Sequence, residues 1–151
     1  MMSDPYRLAL AAHEIGHAVV WRAGGFEIDE IWIKGHGLSA HGRVWIVQTD
    51  DDIRTVDAEH AVQAGLLAGC EAHLRWCSET GVTGVDVSAD HDMTLYQRRR
   101  RTRLGRQVNS ADVRATASRL VRHNWPTITR LTPVLARAGR LQPRLLPAPR
   151  T

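Results

Sequence analysis

Ala11-Ala12-His13-Glu14-Ile15-Gly16-His17-Ala18-Val19-Val20 is the stretch around which the rest of this chain is organised. Histidines four residues apart on a helix stand one above the other on the same face. Just upstream, Asp4-Pro5 offers an N-cap acceptor followed by proline at the first helical position. Downstream, Gly24-Gly25 suits a left-handed C-cap. The sequence therefore predicts a helix from Pro5 to Ala23 that carries both imidazoles on one side.

Two imidazoles so placed can bind one metal ion from the same direction. Glu14 follows the first of them, turned by about 100° around the axis, so its carboxylate can reach a water beside the ion and act as general base. The pattern calls for zinc, which takes nitrogen ligands, lowers the pKa of water and polarises a peptide carbonyl. Small neighbours (Ala11, Ala12, Gly16 and Ala18) let another element come close. A catalytic zinc takes three protein ligands, however. One extended motif supplies the third as a histidine six residues after the second, with glycine at the third place. Here those places hold Val20 and Ala23, which excludes that class. The remaining ligand must lie downstream, where Glu59, His60, Glu71, His73, Asp90, His91 and Asp92 are all chemically competent.

Outward from this helix, Phe26 to Lys34 reads as a strand, and Gly42 to Gln48 as a second one returning after Gly35-His36-Gly37. Val62, Leu66, Leu67, Cys70 and Leu74 recur at spacings of three and four, predicting a helix over Thr55 to Cys77. Ser78 to Ala89 is irregular. Three more helices are expected: from Asp90 through Arg103 with Ser88 as N-cap, from Ala111 to Asn124, and from Thr127 to Ala138 before Gly139. The fold class is thus α+β and mostly helical, with the metal-motif helix packed by a small sheet or hairpin and followed by a helical bundle. Residues 1–141 form one domain, and 142–151, with Pro143, Pro147 and Pro149, form a mobile tail.

Composition agrees with one soluble domain: 151 residues, 43% hydrophobic and 24% charged. No apolar run approaches the roughly 20 residues that span a bilayer, and Met1-Met2-Ser3-Asp4-Pro5 lacks the basic-then-apolar order of a secretory signal. A cytoplasmic location without membrane contact is expected. Cys70 and Cys77 fall on one helix roughly 10 Å apart, too far for a disulfide, and read as small buried thiols. Charge is divided sharply. Residues 1–96 hold fifteen acids and six bases (−9), whereas 97–151 hold fourteen arginines and Asp112 alone (+13), for the net +4. Such a division marks either an acidic or nucleic-acid partner, or mutual neutralisation across a fold or between subunits. The run Arg98-Arg99-Arg100-Arg101 points all around a helix and reads as a solvated or subunit-pairing surface. Nucleic acid remains open as a partner but is not favoured, because no aromatic interleaving accompanies that run. Trp32 and Trp45 are expected to pack around the strands, Trp125 between the last helices, and His36, His41, His60, His73 and His91 to be ordinary polar positions. The strand Phe26–Lys34 can offer an edge to an extended peptide.

Four segments together resemble the peptidase domain of the FtsH family of ATP-dependent zinc proteases. They are Ala12-His13-Glu14-Ile15-Gly16-His17-Ala18; Ile31-Trp32-Ile33-Lys34-Gly35 leading through Gly42 into Val44-Trp45; Leu67-Ala68-Gly69-Cys70-Glu71-Ala72-His73; and Thr83-Gly84 followed by Ala89-Asp90-His91-Asp92-Met93. In order and approximate spacing they cover most of residues 6–140. The resemblance implies a zinc metallopeptidase in which His13, His17 and Asp92 hold Zn2+, Glu14 is the general base, and the substrate is a peptide or unfolded protein. Val85-Asp86-Val87-Ser88 departs from the family pattern as an insertion, which leaves Asp90 competing with Asp92. Cys70 and His73 stand where the family has an arginine and an acid. No ATPase module accompanies these residues, so a separate ATPase partner or a homo-oligomer is expected. Two other functions fit the same residues less well: a catalytically silent zinc-binding adaptor or regulator, and a basic nucleic-acid-associated protein.

Overall fold

A computed structural model describes residues 4–149; Met1, Met2, Ser3, Arg150 and Thr151 lie outside the described residues. The order of elements is α1 (Pro5–Ala23), β1 (Ile28–Lys34), β2 (His41–Ile46), α2 (Val56–Thr80), α3 (Asp90–Arg100), α4 (Ser110–His123), α5 (Trp125–Ala138) and β3 (Arg140–Leu141). This is the mostly helical α+β fold that the sequence implies.

Helix α1 begins where Asp4 Oδ1 accepts from the backbone N–H groups of Tyr6 and Arg7, both at 3.1 Å. The other oxygen of Asp4 accepts from Gly37 N at 2.8 Å, tying the helix start to the turn after β1. Thirteen consecutive residues of α1, Ala9 to Trp21, are buried, so it is the central helix of the domain. Its closest partner is α2. The two helices approach through small residues: a Cβ on Gly16 would stand 2.6 Å from Ala72 Cβ and 2.8 Å from Ala68 O. Thr55 caps α2 by accepting from Ala58 N, and Gly81 closes it at φ +71°, a left-handed conformation that favours glycine.

The sheet has the order β2-β1-β3, antiparallel throughout. Opposite pairs include Ile31 with Val44 and Trp32 with Arg43 on one side of β1, and Ile31 with Leu141 and Trp32 with Arg140 on the other. β1 is therefore the central strand, and the expectation that it offers a free edge is corrected: that edge belongs to β2. The third strand, only two residues long, is beyond what periodicity can detect. Ile31, Ile33 and Leu141 face α1 and are buried.

Several boundaries shift. Helix α3 ends at Arg100 rather than Arg103, and Ala89 rather than Ser88 holds its N-cap position. The segment read as a mobile tail instead forms a short 3-10 turn over Pro143–Leu145, and Leu146 joins the core with 5% exposure. Trp125 packs on α2 rather than between the last helices, donating to Glu79 Oε2 and carrying Arg75 4.4 Å from its ring. The two cysteines are free and half-buried, not fully buried. Trp45 points outward with 47% exposure.

The arginine run is divided between inside and outside. Arg99 forms a bidentate pair with Glu59, which is 1% exposed, through Nε to Oε1 at 3.0 Å and Nη2 to Oε2 at 2.5 Å. It also reaches Asp50 Oδ1 at 2.9 Å. Arg100 donates to Val108 O at 3.1 Å and Gln63 Oε1 at 3.4 Å. Arg98 and Arg101 are exposed. These bonds fasten α3 to α2, which corrects the reading of the run as wholly solvated.

Candidate metal centre

Three donor atoms converge where α1, α2 and the start of α3 meet. His13 Nε2 lies 2.8 Å from Asp92 Oδ2, His17 Nε2 lies 3.1 Å from the same oxygen, and the two Nε2 atoms are 3.0 Å apart. His13, His17 and Asp92 thus form a group able to hold a metal ion. Tetrahedral coordination at zinc–nitrogen and zinc–oxygen distances of about 2.0–2.1 Å places neighbouring donors roughly 3.3 Å apart. The observed triangle has to open by only a few tenths of an ångström to accept such an ion.

The far sides of the rings support the same fit. His17 Nδ1 stands 2.7 Å from Gly65 O, and this carbonyl fixes the Nδ1–H tautomer that leaves Nε2 free to ligate. Trp21, one turn on, stacks against His17 with ring centroids 5.2 Å apart and donates to Val62 O at 3.1 Å. His13 Nδ1 stands 2.8 Å from His73 Nδ1. Ligation through His13 Nε2 requires His13 Nδ1–H to donate and His73 Nδ1 to accept.

Gly69 makes the approach of α2 to these rings feasible. A Cβ there would lie 2.5 Å from His17 Nε2 and 2.8 Å from His13 Nε2, on top of the donor atoms. Gly42 does the same on the sheet side, where a Cβ would lie 2.8 Å from Glu14 Cγ. The segment Leu67–His73 supplies both the glycine under the donors and the histidine behind them. Sequence reasoning missed these roles for Gly69, Gly42 and His73. The visible signal was Gly65, Gly69 and His73 at repeated fourfold spacing, which puts all three on the face of α2 that meets α1.

Asp92 arrives by way of the irregular connection after α2. Tyr6 Oη donates to Asp86 O at 2.8 Å, and Val87 is buried at 4% exposure, so the inserted residues are pinned to α1. Asp90, the competitor, is exposed and outside the donor group. His91 is exposed and borders the hollow without joining the donor group, and three further candidates are engaged elsewhere. Glu59 pairs with Arg99, His60 meets Thr116 Oγ1 at 2.8 Å, and Glu71 accepts from Ser118 at 2.8 Å.

Glu14 is 6% exposed, and its carboxyl has no hydrogen-bond partner among the described residues. It opens onto a hollow of about 270 Å³ lined also by Tyr6, His13, His41, His91 and Asp92. Burial pushes the Glu14 carboxyl up to about 7, against the opposing pull of His17. Burial likewise lowers His13 to about 4. At His17 burial works against the charged form, but the Asp92 charge and hydrogen bond outweigh it and hold the pKa up to about 9. Asp92 loses stabilisation of its charge through burial, yet both histidines keep it well below the usual carboxylate range. The arrangement has one acid held ionised among the donors and one kept near neutrality beside them. Such a divergence between neighbouring carboxyls is how a site separates a charge-holding role from a proton-transfer role.

Comparison with protein-family models gives no match, and comparison with curated proteins gives none either. The functional reading therefore rests on the geometry of His13, Glu14, His17 and Asp92.

Proposed function

We propose that this protein is a zinc-dependent metallopeptidase in which His13, His17 and Asp92 hold the ion and Glu14 is the general base. The observation that carries this reading is Glu14: a buried carboxyl beside the donor triangle, with no hydrogen-bond partner among the described residues and an open hollow in front of it. A purely structural metal site has no use for such a group. Zinc, when bound, supplies a water of lowered pKa and polarises the carbonyl to be attacked.

The chain's own residues divide the remaining work. Glu14, buried beside the donors and facing the hollow, accepts the proton of the attacking water on its carboxylate and returns it to the leaving amine. Arg43, on β2, acts electrostatically on Glu14 and favours its ionised form. The free edge of β2 borders the hollow through Ala40, His41 and Gly42, and its unpaired backbone can align an extended peptide. The four segments that resemble FtsH-family peptidase domains support the same assignment. A separate ATPase that delivers unfolded substrate is the partner consistent with that resemblance.

Replacing Glu14 with Gln tests the reading. The Glu14→Gln protein is expected to bind zinc as the native chain does, and to lose hydrolysis of a denatured protein by a factor of about 100 or more. Native protein that holds zinc but cleaves no member of a broad peptide library would instead identify a silent metal-binding module.

A further inference from the structure

The face of the sheet turned away from α1 carries a second constellation, which meets the metal site at Arg43 and His41. Opposite residues in antiparallel strands share a face, and so do residues two apart along a strand. The register therefore puts Glu30, Trp32 and Lys34 of β1 together with His41, Arg43 and Trp45 of β2 and Arg140 of β3. All of these are exposed or half-buried, whereas the alternating Ile31, Ile33 and Leu141 are buried beneath them. Two indoles thus alternate with Lys34, Arg43 and Arg140. Two acids accompany them: Glu30, which Arg140 reaches at 3.5 Å, and Asp29, exposed at the irregular pairing between Ile28 and Glu30.

The cations lie over the rings themselves: Lys34 Nζ is 4.6 Å from the centre of Trp32, and the Arg43 guanidinium is 4.7 Å from Trp45. Trp32 also meets the edge of His41 at 5.7 Å. Trp32 is opposite Arg43, and Trp45 is two residues further along β2, so the indoles form a diagonal pair across neighbouring strands. Such pairs are about 7–8 Å apart, a separation that suits two successive unstacked bases of an extended strand.

We propose that this face binds single-stranded nucleic acid, with bases stacking on Trp32 and Trp45 and phosphates meeting Lys34, Arg43 and Arg140. Aromatic platforms set among cations are the general means of holding single strands, because every base has a flat face and every nucleotide a phosphate. An acidic peptide would satisfy the cations and leave both indoles without a flat partner. An anionic bilayer would meet the cations as well, but the two indoles are set among charges rather than in an apolar patch that could enter the acyl region. The surrounding field favours a polyanion as well. Of the thirteen arginines between residues 97 and 149, only Arg99 and Arg140 form ion pairs among the described residues. Direct pairing between the acidic and basic halves is thus confined to these two arginines, and the net charge of +4 favours the approach of polyanions.

Fluorescence anisotropy of a labelled ten-nucleotide oligothymidine, titrated with the full chain, tests the proposal. Three phosphate contacts give a slope of log affinity against log salt of about −2, so binding should weaken about 20-fold between 50 and 200 mM salt. Trp45→Ala is expected to weaken binding on the order of ten-fold with the slope unchanged, and Trp45→Phe by less. Arg43→Gln should reduce the slope by about 0.7. Both side chains are exposed, and circular dichroism verifies that the variants keep the fold. Absence of binding at 50 mM salt overturns the proposal. So does binding that survives Trp45→Ala and Arg43→Gln but is lost in an Arg101→Gln/Arg103→Gln/Arg106→Gln triple variant, which would place it on the exposed arginines. Competition by polyglutamate at equal charge concentration would make an acidic protein segment the partner. Binding to phosphatidylserine vesicles that the oligonucleotide fails to displace would make it a membrane surface.

Discussion

Helices α1 and α3 both carry ionisable side chains into the interior, but they reach that result by opposite routes. In α1 the two histidines lie four residues apart, so one turn of helix places their donor atoms 3.0 Å from each other. In α3 the two inward-reaching groups, Asp92 and Arg99, are seven residues apart and serve different partners. Asp92 closes the donor triangle at the helix start, while Arg99 clamps Glu59 of α2 two turns later. A local period fixes a pair; only the path of the chain fixes what a second helix adds to it. The placement of Asp92 thus depends on the clamp at the other end of its own helix.

The largest expected effect comes from breaking the junction itself. Asp92→Ala should lower zinc affinity by more than about 100-fold, exceeding the 10–100-fold typical of losses behind a ligand; Asp90→Ala should leave it unchanged. Competition with a chromogenic chelator measures both. Equal effects of the two substitutions would sink the assignment of Asp92. Next, Glu59→Ala removes the buried partner of Arg99 and leaves the exposed Asp50 as its remaining carboxylate. Breaking a buried pair costs about 3–5 kcal/mol, and the 20% exposure of the Arg99 side chain reduces this to roughly 2–3 kcal/mol. Urea denaturation should report that loss, and zinc affinity should fall with it as α3 loosens.

Behind the donors, His73→Ala leaves His13 Nδ1–H without its acceptor. Zinc affinity is then expected to drop 10–100-fold while the fold persists, and calorimetric titration of the purified variant would detect it. The smallest effect is at the start of α1, where Asp4→Ala should cost about 1 kcal/mol as a lost N-cap. The Asp4 carboxyl lies below its ordinary value, chiefly because Gly37 N–H donates to it. A lowered folded-state pKa stabilises the native state above the unfolded value near 3.8, and that contribution fades as pH falls through the folded value. The difference between native and Asp4→Ala midpoints should therefore be constant at neutral pH and vanish in acid. A difference that persists below the folded-state pKa would show that the Asp4 charge is irrelevant to the cap.

Where the sequence was legible, a short-range rule operated. Asp4-Pro5 marked the start of α1, Gly24-Gly25 and Gly139 the ends of α1 and α5, and the β-rich run around Ile31 and Ile33 the strand β1, whereas α2 continues past the expected Cys77 to Thr80. Where it was not, the determinant was a partner far along the chain. Arg99 looked like any exposed arginine until Glu59, forty residues earlier, was found beneath it. Arg140-Leu141 is too short to show a period and becomes a strand only because β1 offers it a register. Leu146 looked like part of a proline-rich tail, yet it is buried with the hydrophobic core.

The sequence by itself determined the paired imidazoles, the adjacent carboxylate and the small residues around them, because helix geometry converts a spacing of four into proximity whatever the rest of the chain does. Tertiary structure alone decided three things: that Asp92 rather than Asp90 joins the pair, that His73 and Gly69 stand behind and beneath it, and that Trp32 and Trp45 share one open face. Each depends on how α1, α2, α3 and the sheet pack, and that packing is set by buried contacts between residues tens of positions apart.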